Sequence, residues 1–207
     1  MGLLSLLIDN PVAFFLLVFP LLYSVIAHEL AHGLVASWFG DNTAKYAGRL
    51  SLNPIVHLDP IGTLMLFIVG FGWAKPVPVD YFNLKNSRWA LISVSLVGCI
   101  TNILIAAIAI YLLQSQIVNP NSVLSRILFI VAQINIILGA FNLIPIPPLD
   151  GSKALMVFLP TEAQEGMARI EPYGFFIIII LLYTGLLYPV IDFVRKLIIS
   201  LISFIYF

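Results

Sequence analysis

From Val12 to about Phe39 the chain is apolar, and the only acidic or basic side chains in that run are His28, Glu29 and His32. Pro11 suits a helix start and Gly40 a helix stop, so the run reads as one long helix. About 20 apolar residues suffice to cross the hydrocarbon of a bilayer, and ionisable groups at that depth are expensive and mark function. At i and i+4 the two imidazoles share one helix face and can reach one metal ion, with Glu29 beside them. This is the His-Glu-x-x-His arrangement of zinc hydrolases, in which the glutamate takes the proton of an activated water. If the hydrocarbon begins near Val12, His28 lies about 24 Å along the helix and His32 about 30 Å, near the far boundary of the membrane. The plain alternative is a buried polar cluster that holds no metal.

The rest of the composition agrees with a membrane setting. Apolar residues make up 61% of the 207, charged residues only 10%, and the mean hydropathy is +1.06, outside the range of soluble domains. The expected fold is an all-α membrane protein, a polytopic bundle of four to six transmembrane segments in one domain over 1–207. Its core is expected over 12–151, with further membrane segments over 172–207. Ten basic and ten acidic residues cancel, which gives no indication of a nucleic-acid partner. The single cysteine, Cys99, reads as a small packing residue. The amino terminus lacks the basic stretch and cleavage site of a signal peptide, so the first apolar run is expected to persist in the mature protein.

Past Asp41 the character changes. Tyr46 to Leu52 alternates and ends at Asn53-Pro54, which predicts a short strand. Pro60 to Ala74 is apolar but short for a crossing, so a re-entrant segment is expected. Trp89 to about Leu113 and Ser122 to about Ile144 read as spanning helices. The second runs into Asn142-Leu-Ile-Pro145-Ile-Pro147-Pro148-Leu-Asp150-Gly151, where prolines release backbone groups that membrane depth tolerates only beside protein or a watery cavity. Lys153 to Glu171 reads as a polar connector, Pro172 to Ile191 as an uncharged stretch, and Arg195-Lys196 interrupts a last apolar tail.

Two histidines leave a catalytic zinc one protein ligand short. Asp150 is the best candidate for the third, while Asp41, Asp59 and Asp80 fit loop positions. Asp150 and the histidines emerge on one side only if an odd number of crossings separates their helices, so the segment at Pro60 must re-enter. Lys45, Arg49, Lys75, Lys85, Arg88, Lys153 and Arg169 all fall on that side, against Arg126 opposite. By the positive-inside tendency the site then lies near the cytoplasmic face of a multi-pass protein of the cell membrane.

These pieces together resemble the site-2 protease family of intramembrane zinc metalloproteases, in a short form with no segment that reads as a PDZ or CBS domain. The resemblance rests on His28-Glu29-x-x-His32, Asn53-Pro54-x-x-His57-x-Asp59-Pro60, Phe71 to Pro78, and Asn142-x-x-Pro145-x-Pro147-x-x-Asp150-Gly151. It implies one zinc ion held by His28, His32 and Asp150, Glu29 as base, and Asn142 as a donor to the oxyanion. It also implies a short membrane-dipping β-like hairpin after the first helix, and a transmembrane protein as substrate, unwound and paired along Arg49 to Leu52 and Lys75 to Val79. The family's small-Gly-Pro segment reads Val97-Gly98-Cys99 here, without the proline, ahead of Asn102, which is expected to be a packing amide. His57 is expected to hydrogen-bond in its loop. The function expected is an endopeptidase acting within the bilayer. The rivals are a metal transporter using the same ligands and a catalytically silent zinc-binding membrane protein.

Overall fold

The computed structural model describes residues 3–70, 72–84, 87–115 and 117–206. Phe71 and Lys85, both used above, lie outside them. The described chain is helical, in the order α1 (Leu3–Asp9), α2 (Pro11–Trp38), α3 (Thr43–Tyr46), a 3-10 turn at Pro54–Val56, α4 (Pro60–Val69), α5 (Tyr81–Leu84), α6 (Arg88–Gln114), α7 (Val123–Asn142), α8 (Asp150–Met156), α9 (Thr161–Tyr183) and α10 (Tyr188–Tyr206). Four of these, α2, α6, α7 and α9, are long and apolar enough to cross a membrane, which makes this a multi-pass membrane protein.

Local signals explain where the long helices begin. Asn10 caps α2 by accepting from the Ala13 amide (3.0 Å) with Pro11 in the first turn. Ser87 caps α6 through Ala90 (3.1 Å) and Ser122 caps α7 through Ser125 (3.1 Å). Each side chain satisfies an amide that the helix start leaves without a partner. Outward positions such as Phe15, Phe19, Leu104, Ile108, Phe129 and Ile180 are exposed and apolar, which suits a surface in contact with acyl chains.

α2, α6 and α7 pack on one another. Gly139 of α7 brings that helix against α6, where an added Cβ would lie 3.3 Å from Ile103 Cγ1 and 3.6 Å from the Cys99 carbonyl oxygen. Small residues permit this approach where the hydrophobic effect does not drive helices together. Ala106, Ile136 and Ala140 continue the contact and are covered by Ile198 and Ile202 of α10. Ile144, Leu149, Ile178 and Leu187 form another buried cluster over the broken end of α7.

The β-like hairpin does not form. Among the described residues there is no strand, only an isolated bridge between Leu58 and Ala74. The alternating stretch instead leaves α3 through Gly48 at φ +67°, and the Arg49 amide closes back on the Ala44 carbonyl (2.9 Å). Asn53 and Asp59 cap the turns that begin at Pro54 and Pro60, and Pro76 and Pro78 have no N–H for a ladder.

α4 has ten residues, about 15 Å of helix, half a hydrocarbon thickness. It therefore cannot cross. The polar connector is also more ordered than its sequence suggests, because α9 starts at Thr161 and runs through Pro172 to Tyr183.

Candidate metal centre

The imidazoles of His28 and His32 stand side by side on α2 with ring centroids 4.8 Å apart. Their Nε2 atoms are 3.1 Å from each other, and Asp150 Oδ2 lies 3.0 Å from His28 Nε2 and 3.1 Å from His32 Nε2. All three residues are buried. Asp150 arrives because α7 stops at Asn142 and Pro145, Pro147 and Pro148 turn the chain into α8, of which Asp150 is the first residue. Gly151 makes the turn possible, since a Cβ there would lie 2.2 Å from the Leu143 carbonyl oxygen. Room for the rings comes from Gly98 of α6, where a Cβ would stand 2.3 Å from His32 Nε2 and 2.5 Å from His28 Cε1.

Both imidazoles are fixed from behind. His28 Nδ1 meets Asn102 Oδ1 at 2.6 Å and His32 Nδ1 meets the Val94 carbonyl oxygen at 2.6 Å. A carbonyl oxygen only accepts, so each Nδ1 carries the proton and each Nε2 turns a lone pair toward Asp150. Asn102 is oriented in turn, donating to Asn135 Oδ1 (2.7 Å), while Asn135 Nδ2 donates to Ser24 Oγ (2.7 Å). Ser24 lies on α2 one turn before His28, so the chain of amides closes on the helix that carries the histidines.

Two imidazole Nε2 atoms and a carboxylate oxygen thus converge within about hydrogen-bond distance, an arrangement that a bound cation satisfies. Tetrahedral zinc with bonds of roughly 2.0–2.2 Å spaces its ligand atoms by about 3.3 Å. The observed separations need only a slight opening to match, so the residues fit the ion.

The family model for peptidase family M50 matches residues 114–184, the segment that holds the broken end of α7 and Asp150. The chain is 39% identical over 201 residues to a Bacillus subtilis protein named "Putative zinc metalloprotease YwhC", covering 92% of each. It is 28% identical over 176 residues to "Putative zinc metalloprotease Rip2" of Mycolicibacterium smegmatis, covering 83% of this chain and 68% of the relative. A Methanocaldococcus jannaschii relative, "Putative zinc metalloprotease MJ0611", is 30% identical over 137 residues, 63% of each chain. No solved structure matches the chain. The chain belongs to peptidase family M50, the site-2 proteases.

Within this M50 site the other expected residues behave differently from one another. Glu29 accepts a hydrogen bond from the Val77 amide at 2.8 Å, so the extended segment after α4 is fastened to the glutamate beside the metal group. Asn142 is not aimed in the same way, because its amide nitrogen donates to the Leu138 carbonyl one turn back on α7 (3.0 Å). His57 is buried and donates from Nε2 to the Ser51 carbonyl (2.7 Å), a loop role as expected. Asp59 caps α4 through Gly62 (2.7 Å).

Asp41 does more than occupy a loop position. It is fully buried and accepts from the Thr43 amide and hydroxyl, from Asn83 (3.0 Å) and from the Asp80 amide (2.8 Å), which ties the end of α2 to the approach to α5. α6 passes the position of the missing proline unbroken, and Cys99 Sγ sits 3.9 Å from Asp150 Oδ2. Asn102 is a partner of the metal group rather than a packing amide. Asn135 and Ser24 escaped the sequence reading altogether; the available signal was an amide midway along each of two spanning helices, where polar side chains need partners.

Proposed function

We propose that this M50 protein is an intramembrane zinc endopeptidase that hydrolyses peptide bonds in or beside the transmembrane segment of another membrane protein. The observation that carries this reading is the convergence of His28 Nε2, His32 Nε2 and Asp150 Oδ2 at 3.0–3.1 Å inside a helical membrane protein, with Glu29 next in sequence to the first ligand. His28, His32 and Asp150 would hold the ion. Zinc, when bound, supplies Lewis acidity that polarises the scissile carbonyl and brings the pKa of water toward neutrality.

Glu29 takes the proton of the attacking water and later delivers it to the leaving amide nitrogen. Its Val77 hydrogen bond orients the carboxylate for that role. Asn102 and the Val94 carbonyl keep both imidazoles in the tautomer that presents Nε2. With the hydrocarbon taken to begin near Val12, a position about 24–30 Å along α2 supports a reaction near one membrane boundary, within reach of water. The basic residues of that side, with Arg49, Lys75 and Lys153 among them, favour the cytoplasmic face of the cell membrane.

The test is the Glu29→Gln variant in purified protein reconstituted in lipid, with zinc stoichiometry and cleavage of single-span substrates read together. The expected result is one zinc per chain with cleavage abolished. A variant that keeps zinc and cleaves as the wild type does would exclude Glu29 as base. Zinc transport into vesicles by a protein that cleaves nothing would replace the protease reading with a transporter.

A further inference from the structure

The hydrolysis proposed above develops negative charge on the scissile carbonyl oxygen, and the side chain expected to receive it, Asn142, commits one of its two amide N–H groups to the Leu138 carbonyl. Another donor stands nearer the first turn of α8. Lys153 follows Asp150 by three residues, so the two side chains occupy adjacent positions on one helix face, with Cβ atoms about 5–6 Å apart. Its Nζ lies 5.9 Å from the Tyr81 ring centroid, which brings the phenol within reach of the ammonium. Among the described residues it forms no ion pair within 4 Å, and the carboxylates whose charge reaches it are those of Asp150, Glu171 and Glu29.

We propose that Lys153, held by Tyr81, is a catalytic residue of the reaction, donating from Nζ to the substrate carbonyl oxygen as it becomes an oxyanion. The proposal rests on the protease reading. When the water oxygen bonds to the carbonyl carbon, the C=O π pair moves onto oxygen, and Nζ–H donates to that oxygen. As the C–N bond breaks, the pair returns to C=O and the leaving nitrogen takes the proton held by Glu29. A preoriented cationic donor acts where charge develops and binds the ground-state carbonyl only weakly, so it lowers the barrier more than it tightens substrate binding.

Lys153 is suited to stay charged. An ordinary lysine side chain is protonated throughout the neutral range. Both Lys153 and Tyr81 remain partly exposed, so a substrate carbonyl has access to the pair.

The experiment compares wild type, Lys153→Met, Lys153→Arg and Tyr81→Phe in lipid, reading zinc content, kcat, KM and the affinity of a phosphinic peptide whose tetrahedral oxygens mimic the oxyanion. For Lys153→Met the expected result is full zinc, a kcat lower by about 100-fold, a KM within about threefold, and phosphinate affinity lowered in parallel with kcat. Lys153→Arg regains at least tenfold, and Tyr81→Phe loses about tenfold in kcat with zinc intact. A Lys153→Met protein that cleaves within threefold of wild type, or one whose lost rate tracks lost zinc while phosphinate affinity holds, overturns the assignment. If that variant fails to fold, Tyr81→Phe with wild-type kcat overturns it instead. A zinc-loaded wild type that cleaves nothing brings down the protease reading, and this assignment with it.

Discussion

Glu29 Oε2 accepts a 2.8 Å hydrogen bond from the amide of Val77, and Val77 is flanked on both sides by proline. Since Pro76 and Pro78 have no N–H, Val77 supplies the one amide of that tripeptide, and it is spent on the residue proposed as base. Val77→Pro removes the donor while leaving every metal ligand in place. Hydrogen bonds to charged groups contribute about 1.5–3 kcal/mol, so kcat should fall by about 10- to 100-fold. Zinc content stays at one per chain, and Val77→Ala, which keeps the amide, should lose far less. Steady-state cleavage beside metal analysis checks both.

Asn102 should tune the ion. Asn102→Ala leaves the His28 Nδ1 proton without its acceptor at 2.6 Å and Asn135 Oδ1 without its donor at 2.7 Å. Loss of such a supporting partner lowers metal affinity by about 10- to 100-fold. Competition with a chromophoric chelator would measure it. Ser24→Ala, which removes only the far end of the chain of amides, should weaken zinc less than Asn102→Ala.

Gly98→Ala is a steric test. The added methyl would stand 2.3–2.6 Å from atoms of both imidazoles, closer than any relaxed contact, and those rings are held by short hydrogen bonds behind. The expected outcome is a helical protein that elutes as the wild type does and holds well under one zinc per chain.

Asp41 gives a pH signature. Burial pushes its carboxyl up, but hydrogen bonds from Thr43, Asn83 and the Asp80 amide outweigh burial and hold the pKa below the ordinary aspartate value. A group depressed in the folded state contributes stability above its unfolded pKa, about 3.9, and that contribution is lost as pH falls through the folded value. Asp41→Asn, which leaves a buried donor facing other donors, should cost about 1–3 kcal/mol at pH 7. The gap to wild type should narrow at acidic pH below about 4. Thermal denaturation in detergent across that range measures it.

The sequence made the three inner helices legible because length, apolarity and caps all agree in them. It also made the third metal-group residue legible, because only Asp150 followed a proline-broken helix end whose carboxylate could not face lipid. Tyr46 to Leu52 misled for a definite reason. Its period of two is real, but Gly48 at φ +67° turns the chain within that period, and side-chain alternation alone does not reveal a positive φ. Asn102 and Asn135 were visible as polar residues, yet which of them would meet depends on the relative rotation of α6 and α7, and packing between helices decides that. The orientation of Asn142 was hidden similarly, since an asparagine in a last helical turn can answer either its own helix or the site.

The run from Ser24 through Asn135 and Asn102 to His28 begins and ends on α2 while passing through α7 and α6. A slip of one residue in any of the three helices would break a link and turn an imidazole out of line. The metal group therefore serves as a gauge of assembly: a chain whose helices have not found their proper registration cannot load its ion, so an inactive protein is what a misassembled copy presents to the membrane.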